Sequence, residues 1–158
     1  MPDASPTKKR SGAYSVLSII SMSIAIVIAR ACSQIDANQS RDITQEQLIK
    51  AISDTNAVLP KTVGDLRIEK AQVAQEKHVT YVNTVLSSPA AGLDPTVIRK
   101  NLLASLESEN CKNGEYSRMS NGGVTQTLIL RGNDGVEVVR IVIAPTTALW
   151  RCGKVPLL

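Results

Sequence analysis

The longest apolar run of the chain lies near its N-terminus and ends just before a cysteine. Residues 11–29 carry no charge over 19 positions; the basic cluster at 8–10 precedes them and Arg30 follows. At about 1.5 Å rise per residue, such a helix nearly crosses a hydrocarbon core about 30 Å thick. The pattern predicts a cytoplasmic basic N-terminus over 1–12 and a transmembrane anchor or signal segment over 13–31.

Three fates of this segment stay open. It is an uncleaved anchor whose Arg30 reaches the outer interface, a signal peptide cleaved after Ala31 in "ARA", or a lipoprotein leader with Cys32 as the lipidated residue. The last resembles a bacterial lipobox, in which Ala31 fits and Arg30 is a poor match. The anchor predicts a bacterial inner-membrane protein with its C-terminal domain in the periplasm, and lipidation predicts a lipid anchor in the periplasm.

Residues 32–43 are polar and aperiodic, which is typical of a tether, and a helical pattern follows them. Thr44 and Gln47 have the spacing of a capping box, and Leu48 and Ile52 lie on one apolar helix face. Pro60 limits this first helix.

The next segments alternate between strand and helix patterns. In residues 65–86, apolar residues alternate with polar ones around a polar turn at 75–77. A single helix is possible here, but the β-branched residues after His78 favour two strands. Asp94 as N-cap and Pro95 at the first helical position predict a helix that runs to about Glu109. Two β-rich runs around "GNDG" at 132–135 predict a hairpin, which Pro145 closes.

Residues 44–158 therefore predict a small periplasmic α+β domain in the order α-β-β-α-β-β. Since the strands come in adjacent pairs, we expect an antiparallel sheet with both helices packed on one face. The core is aliphatic, because the chain has one tryptophan, three tyrosines and no phenylalanine.

Three cysteines leave one without a partner in an oxidising compartment. Cys111 follows a predicted helix and Cys152 follows the last predicted strand, so they form the predicted disulfide pair. In the chain-entropy model, closing the loop between Cys111 and Cys152 adds about 3–4 kcal/mol to the free energy of unfolding. Cys32 is then the cysteine left over at the membrane boundary, where lipidation or an unmodified thiol explains it.

The net charge of +4 belongs mostly to the N-terminal segment. Residues 1–32 hold four basic residues against one acidic residue, and residues 33–158 hold fourteen against thirteen. Without a basic stripe and interleaved aromatic residues, the sequence gives little support to nucleic-acid binding.

Candidate chemistry is sparse, and we expect no enzyme, no cofactor and no small-molecule ligand. His78, the only histidine, is a candidate general base but is more typical of a solvated residue at a strand start. "NGG" at 121–123 lacks the lysine of a phosphate-binding loop and predicts a turn into the hairpin. Glu107 and Glu109 are typical of a solvated helix end, and no cysteine–histidine spacing suggests a metal site.

Several features together resemble a class of small exported bacterial α+β proteins. These are "LP" at 59–60, "VGDLRIEKAQVAQEKHVTYVNTVL", the helix that ends in Cys111, and the hairpin followed by Cys152. Proteins of this class carry an LP…Y-x-x-x-L stretch and a C-terminal cysteine pair and are mostly functionally unassigned. The resemblance covers about residues 44–152 and implies the fold and the compartment, but no active site.

The sequence thus predicts a membrane-tethered periplasmic protein-binding module, an accessory subunit of a bacterial secretion, conjugation or respiratory complex. Its expected partners are the lipid bilayer and membrane subunits or another envelope protein, which would pair with an exposed sheet edge. The alternative is a chaperone-like or pilotin-like lipoprotein, lipidated at Cys32, that binds a cargo segment.

Overall fold

A computed structural model describes residues 42–113 and 115–145, with the backbone alone for 109–113 and 115–117. The elements are α1 (Gln45–Asn56), β1 (Lys61–Val63), β2 (Leu66–Ala74), β3 (His78–Val85), α2 (Pro95–Asn113), α3 (Glu115–Asn121), β4 (Thr125–Arg131) and β5 (Glu137–Ile143). Among the described residues, no helix is long and apolar enough to cross a membrane. The predicted anchor over 13–31 lies outside these residues.

Helix α1 begins as its sequence predicts. The Thr44 hydroxyl accepts a hydrogen bond from the Gln47 amide at 3.2 Å, and the Gln47 side chain accepts one from the Thr44 amide at 2.9 Å. This reciprocal capping box satisfies two amides that a helix start leaves unpaired. Leu48 and Ile52 are buried against the sheet, as expected for the apolar face.

The five strands form one sheet in the order β1-β2-β3-β4-β5. Both predicted hairpins are confirmed, since β2–β3 and β4–β5 are antiparallel pairs. The short strand β1 was not predicted; it pairs with β2 through a turn in which Gly64 has a φ of 60°. Only a residue without a Cβ takes this left-handed conformation readily.

The prediction of an antiparallel sheet is wrong at the centre, where β3 and β4 are parallel. Helices α2 and α3 form the connection between these strands and return the chain to the end of the sheet where β3 begins. There the Thr125 amide donates to the Lys77 carbonyl at 3.0 Å. A long helical crossover produces a parallel pair, whereas a tight turn produces an antiparallel one.

The helical layer also differs from the prediction, because three helices of the described residues contact the sheet instead of two. Helix α1 packs on β2, α2 on β5 and α3 on β4. The N-cap of α2 is confirmed, since an Asp94 carboxylate oxygen accepts from the amides of Thr96 and Val97 at 2.9 and 3.2 Å. Helix α3 was missed because its short polar sequence has no helical apolar repeat.

One hydrophobic core joins the helices to a single face of the sheet. Tyr81 on β3 is its largest fully buried side chain. The other buried members that belong to strands alternate along the chain, as a half-buried sheet requires: Leu66, Ile68, Ala71, Val79, Val85, Leu128, Leu130, Val139, Ile141 and Ile143.

Candidate functional site

The direction of the main-chain groups in β4 follows from one hydrogen bond. The Thr125 amide points toward β3, because it donates to the Lys77 carbonyl. Main-chain groups of successive strand residues point alternately to the two sides of the strand, so the odd-numbered residues of β4 bond to β3 and the even-numbered ones bond to β5. Leu128 therefore bonds toward β5, where Ile141 lies opposite it.

The same alternation fixes β5, the last strand of the sheet. Val139, Ile141 and Ile143 lie opposite even-numbered residues of β4 and bond inward. The main-chain groups of Arg140 and Val142 consequently point away from the sheet. We call these outward groups of Arg140 and Val142 the β5 edge.

One described side chain covers part of the β5 edge. Arg99 of α2 donates from Nη1 to the Arg140 carbonyl at 3.1 Å. No other described residue bonds to the Arg140 amide or to the main-chain groups of Val142. The Val142 side chain is 50% exposed, so solvent reaches the edge beside it.

An ion pair lies next to the β5 edge. Arg140 donates from Nε and Nη2 to the two carboxylate oxygens of Glu137, at 3.0 and 2.7 Å. This side-chain hydrogen bond lowers the pKa of Glu137; burial opposes the lowering, and the charges of Arg140 and Arg131 add to it. The same contact raises the pKa of Arg140.

The opposite side of the sheet is closed in large part by a strand and by side-chain amides, although the outward main-chain groups of Val73 have no described partner. Strand β1 pairs with the start of β2. Farther along β2, Asn56 of α1 donates to the Ala71 carbonyl at 2.7 Å and accepts from the Ala71 amide at 2.9 Å. Gln45 donates to the Ala74 carbonyl and accepts from the Lys77 amide, both at 3.0 Å.

His78 has a structural role at the start of β3. Its Nε2 lies 2.8 Å from the hydroxyl oxygen of Thr127 on the neighbouring strand. Thr127 is only 1% exposed, so this hydroxyl has no open approach for a substrate carbonyl. The pair is typical of cross-strand packing and lacks the access that a nucleophile requires.

The remaining candidates from the sequence do not converge on a site. "NGG" forms the predicted turn into β4: Gly123 has a φ of 80°, and Gly122 packs against Ile43. Glu107 is half-buried on α2, and the side chain of Glu109 lies outside the described residues. Within the described residues, no group of three acidic, cysteine or histidine side chains is placed to hold a metal ion.

The cysteines fall largely outside the structural description. Cys111 is part of α2, where the structure describes the backbone but not the side chain. Ala31, Cys32 and Cys152 lie outside the described residues. The Cys111–Cys152 disulfide, cleavage at Ala31 and lipidation of Cys32 remain predictions.

The sequence predicts an exposed sheet edge but does not identify the residues that form it. The alternation in "EVVRIVI" separates buried from exposed side chains of β5. It does not show that β5 is the last strand, and nothing in the sequence links Arg99 to Arg140. Both facts depend on the path of α2 across the sheet.

Comparisons with known proteins found distant likenesses in solved structures. No family model and no curated protein matches this chain. A type 2 secretion pilotin of Vibrio vulnificus, EpsS, is 18% identical with a TM-score of 0.48, covering 61% of this chain and 83% of its own. A secreted protein of Pseudomonas aeruginosa is 15% identical with a TM-score of 0.49, covering 63% and 87%.

A third likeness is to the type II secretion pilotin AspS of Vibrio cholerae. It is 18% identical with a TM-score of 0.44 and covers 61% of this chain and 84% of its own. Because all three likenesses are distant, they assign no family to this chain.

Proposed function

We propose that this chain is a non-enzymatic protein-binding module of the bacterial envelope, which binds a partner by adding one of the partner's strands to its sheet. The observation that carries the proposal is the β5 edge. The main-chain groups of Arg140 and Val142 point away from the sheet on a strand whose other side is hydrogen-bonded, and Arg99 bonds to one of them, the Arg140 carbonyl. An edge of this kind is a template for an extended peptide.

The packing of β5 favours binding because the strand is held in place before a partner arrives. Val139, Ile141 and Ile143 are at most 5% exposed, and the register with β4 is continuous from Val139 to Ile143. A partner segment then loses its own conformational freedom on binding, while β5 loses little. The main chain supplies most of the affinity in this mode, and pockets beside alternate side chains supply the selectivity.

The described side chains support binding more than catalysis. His78 is engaged with Thr127, and that hydroxyl is buried. A catalytic constellation requires a nucleophile or base beside a space for the reacting atom. Substitution of His78 is therefore not expected to affect the function, whereas a substitution that removes the β5 edge is expected to affect it.

The attachment to the membrane has two candidate forms. In the first, residues 13–31 remain as an inner-membrane anchor and the domain is an accessory subunit of a secretion, conjugation or respiratory complex. In the second, Cys32 carries lipid and the protein is a chaperone-like or pilotin-like carrier of a cargo segment. The position of Cys32 directly after Ala31 supports the second form, and Arg30 opposes it.

An intact mass of protein extracted from membranes separates these forms. The full-length mass indicates the anchor, and a mass beginning at Cys32 with added acyl chains indicates the lipoprotein. A mass that lacks the N-terminal segment and carries no lipid contradicts both.

Strand addition is tested by a photo-crosslinking residue placed at position 142 in the host cell, with the same residue at Gln72 as a control. Gln72 is exposed on β2, distant in strand order from β5. We expect one envelope protein in stoichiometric amount, linked from position 142 and not from position 72. Equal products from both positions, or none from 142, contradict the proposal.

A further inference from the structure

We propose that the partner segment is acidic: an extended chain with carboxylate side chains, which displaces Arg99 from the β5 edge. The inference deepens the proposed function and rests on it. It concerns the chemistry of the partner, whereas the proposed function concerns the mode of binding.

Arg99 occupies the acceptor that a partner strand needs. Its guanidinium bonds to the Arg140 carbonyl at 3.1 Å. A strand that pairs with Arg140 must supply its own amide to this carbonyl, so the guanidinium has to move. A guanidinium without an acceptor loses a charge-assisted hydrogen bond, and a carboxylate on the incoming strand replaces that bond with a stronger one.

The surroundings of the β5 edge are positively charged. Arg99 and Arg140 lie at the edge, and Arg131 lies on β4 opposite Glu137, the carboxylate that pairs with Arg140. The next acidic residue, Asp134, is engaged in the hairpin turn through the amides of Ala90 and Val136. Opposite charges across paired strands stabilise the pair, and like charges destabilise it.

The charges also argue against a second copy of this chain as the occupant. A two-fold antiparallel pairing of β5 with itself matches outward residues with outward residues. With Arg140 opposite Val142 of the second copy, the two Arg140 side chains become diagonal neighbours on one face. With Arg140 opposite Arg140, they are direct neighbours, so both of these registers place like charges together. A register with Val142 opposite Val142 avoids this but overlaps only residues 141–143 of β5.

The C-terminal segment of the chain is also a poor match to this edge. Residues 146–158 contain Arg151 and Lys154 and no acidic residue. A segment with two positive charges meets the guanidinium groups of Arg99 and Arg140 and has no carboxylate for Arg99. The charge complementarity therefore favours a separate, acidic partner.

The test uses full-length protein in a zwitterionic detergent and three labelled nonapeptides with blocked ends. The peptides alternate valine with glutamate, glutamine or lysine, and fluorescence anisotropy gives each Kd. We expect the glutamate peptide to bind at least about tenfold more tightly than the glutamine peptide, and the lysine peptide most weakly. In 1 M salt the preference for glutamate should shrink, since exposed charges are then screened.

Two variants locate the binding and one serves as a control. Val142→Pro removes the outward amide and should abolish binding of the glutamate peptide, whereas Val142→Thr keeps that amide and should bind as wild type. Arg140→Gln should reduce the preference for glutamate over glutamine several-fold. Circular dichroism checks that each variant is folded.

The outcomes separate the two proposals. If the three peptides bind equally and Val142→Pro abolishes all of them, the acidic partner is wrong and strand addition stands. If Val142→Pro leaves the glutamate peptide bound, or no peptide binds at all, the acidic strand at this edge is wrong. Position-142 crosslinking then decides independently whether any partner strand lies there. A protein that dimerises through β5 in the same detergent would instead identify a second copy as the occupant.

Discussion

The two sides of the sheet are closed in different ways, and the difference indicates which one is suited to a partner. On the β2 side, the short carboxamide of Asn56 bonds to both main-chain groups of Ala71. On the β5 side, the long and exposed side chain of Arg99 bonds to one carbonyl only. Asn56 satisfies both the amide and the carbonyl of Ala71. Arg99 satisfies the carbonyl of Arg140 and leaves the Arg140 amide without a described bond.

This difference follows from the reach and the cost of each side chain. Asn56 is part of α1, which packs directly on β2, so its amide lies close to the strand. An arginine that holds one exposed contact gives up much more rotamer freedom, and water competes for the hydrogen bond. The paired bonds of the Asn56 carboxamide close that position of the edge more firmly, whereas the single exposed bond of Arg99 protects the β5 edge and remains displaceable.

The largest expected change in stability comes from proline substitutions in β5, which test whose main-chain groups point outward. Ile141→Pro removes an amide that bonds to β4 together with a side chain that is 1% exposed, so we expect a loss of about 3 kcal/mol or more in the free energy of unfolding. Val142→Pro removes only an outward amide and should cost far less, since edge strands tolerate proline at such positions. Urea unfolding of both variants measures this. Equal losses would mean that the alternation along β5 is wrong.

The next effect compares the two closing side chains directly. Asn56→Ala leaves the Ala71 amide and carbonyl without their partners, and we expect a loss of about 1–3 kcal/mol in the free energy of unfolding. Arg99→Ala should change it by less than about 0.5 kcal/mol, as for most exposed substitutions. Ser53→Ala, an exposed change on α1, controls for helix propensity. A loss at Arg99 as large as that at Asn56 would remove the distinction between the edges.

Amide hydrogen exchange gives a smaller and more local measure. We expect the amides of Arg140 and Val142 to exchange about tenfold or more faster than those of Ala71 and Ile141, because the latter must open a hydrogen bond first. NMR of the folded protein under native conditions measures the four rates. Protection at Val142 equal to that at Ile141 would show that the β5 edge is already occupied.

The smallest effect is the titration of Glu137. Its pKa lies below the ordinary value, mainly because Arg140 donates to the carboxylate. A lowered pKa in the folded state means that this contact stabilises the fold above the unfolded pKa and is lost as the pH falls through the folded one. Since the carboxylate is exposed, the change in stability is small, and side-chain NMR is the suitable readout.

Arg140→Gln should move that midpoint upward, and Arg131→Gln should move it less in the same direction. A midpoint unchanged by Arg140→Gln would show that the ion pair does not persist in solution. In that case Arg140 is free to meet a partner carboxylate without first leaving Glu137.

Local features of the sequence determined the starts of α1 and α2 and both predicted hairpins. The capping box at Thr44 and the N-cap at Asp94 act within one helical turn, so their residues carry the whole signal. The "GNDG" turn was predicted from residues that tolerate positive φ, and Gly135 has a φ of 77°. Gly132 is required for another reason: a Cβ there would lie 2.2 Å from the Ala90 amide, a contact between distant loops that the sequence does not reveal.

The sequence by itself therefore determined which side chains of an outer strand such as β5 are buried, because that pattern repeats every two residues along the chain. In β3 and β4, residues 81–85 and 126–130 are buried without alternation, which only the tertiary structure decided. Only the tertiary structure decided that β3 and β4 are parallel and that β5 lies at the end of the sheet. Both facts depend on where α2 and α3 return the chain to the sheet. Packing between residues far apart in sequence sets that path. Because that path leaves β5 at the end of the sheet, the β5 edge can be identified only in the folded chain.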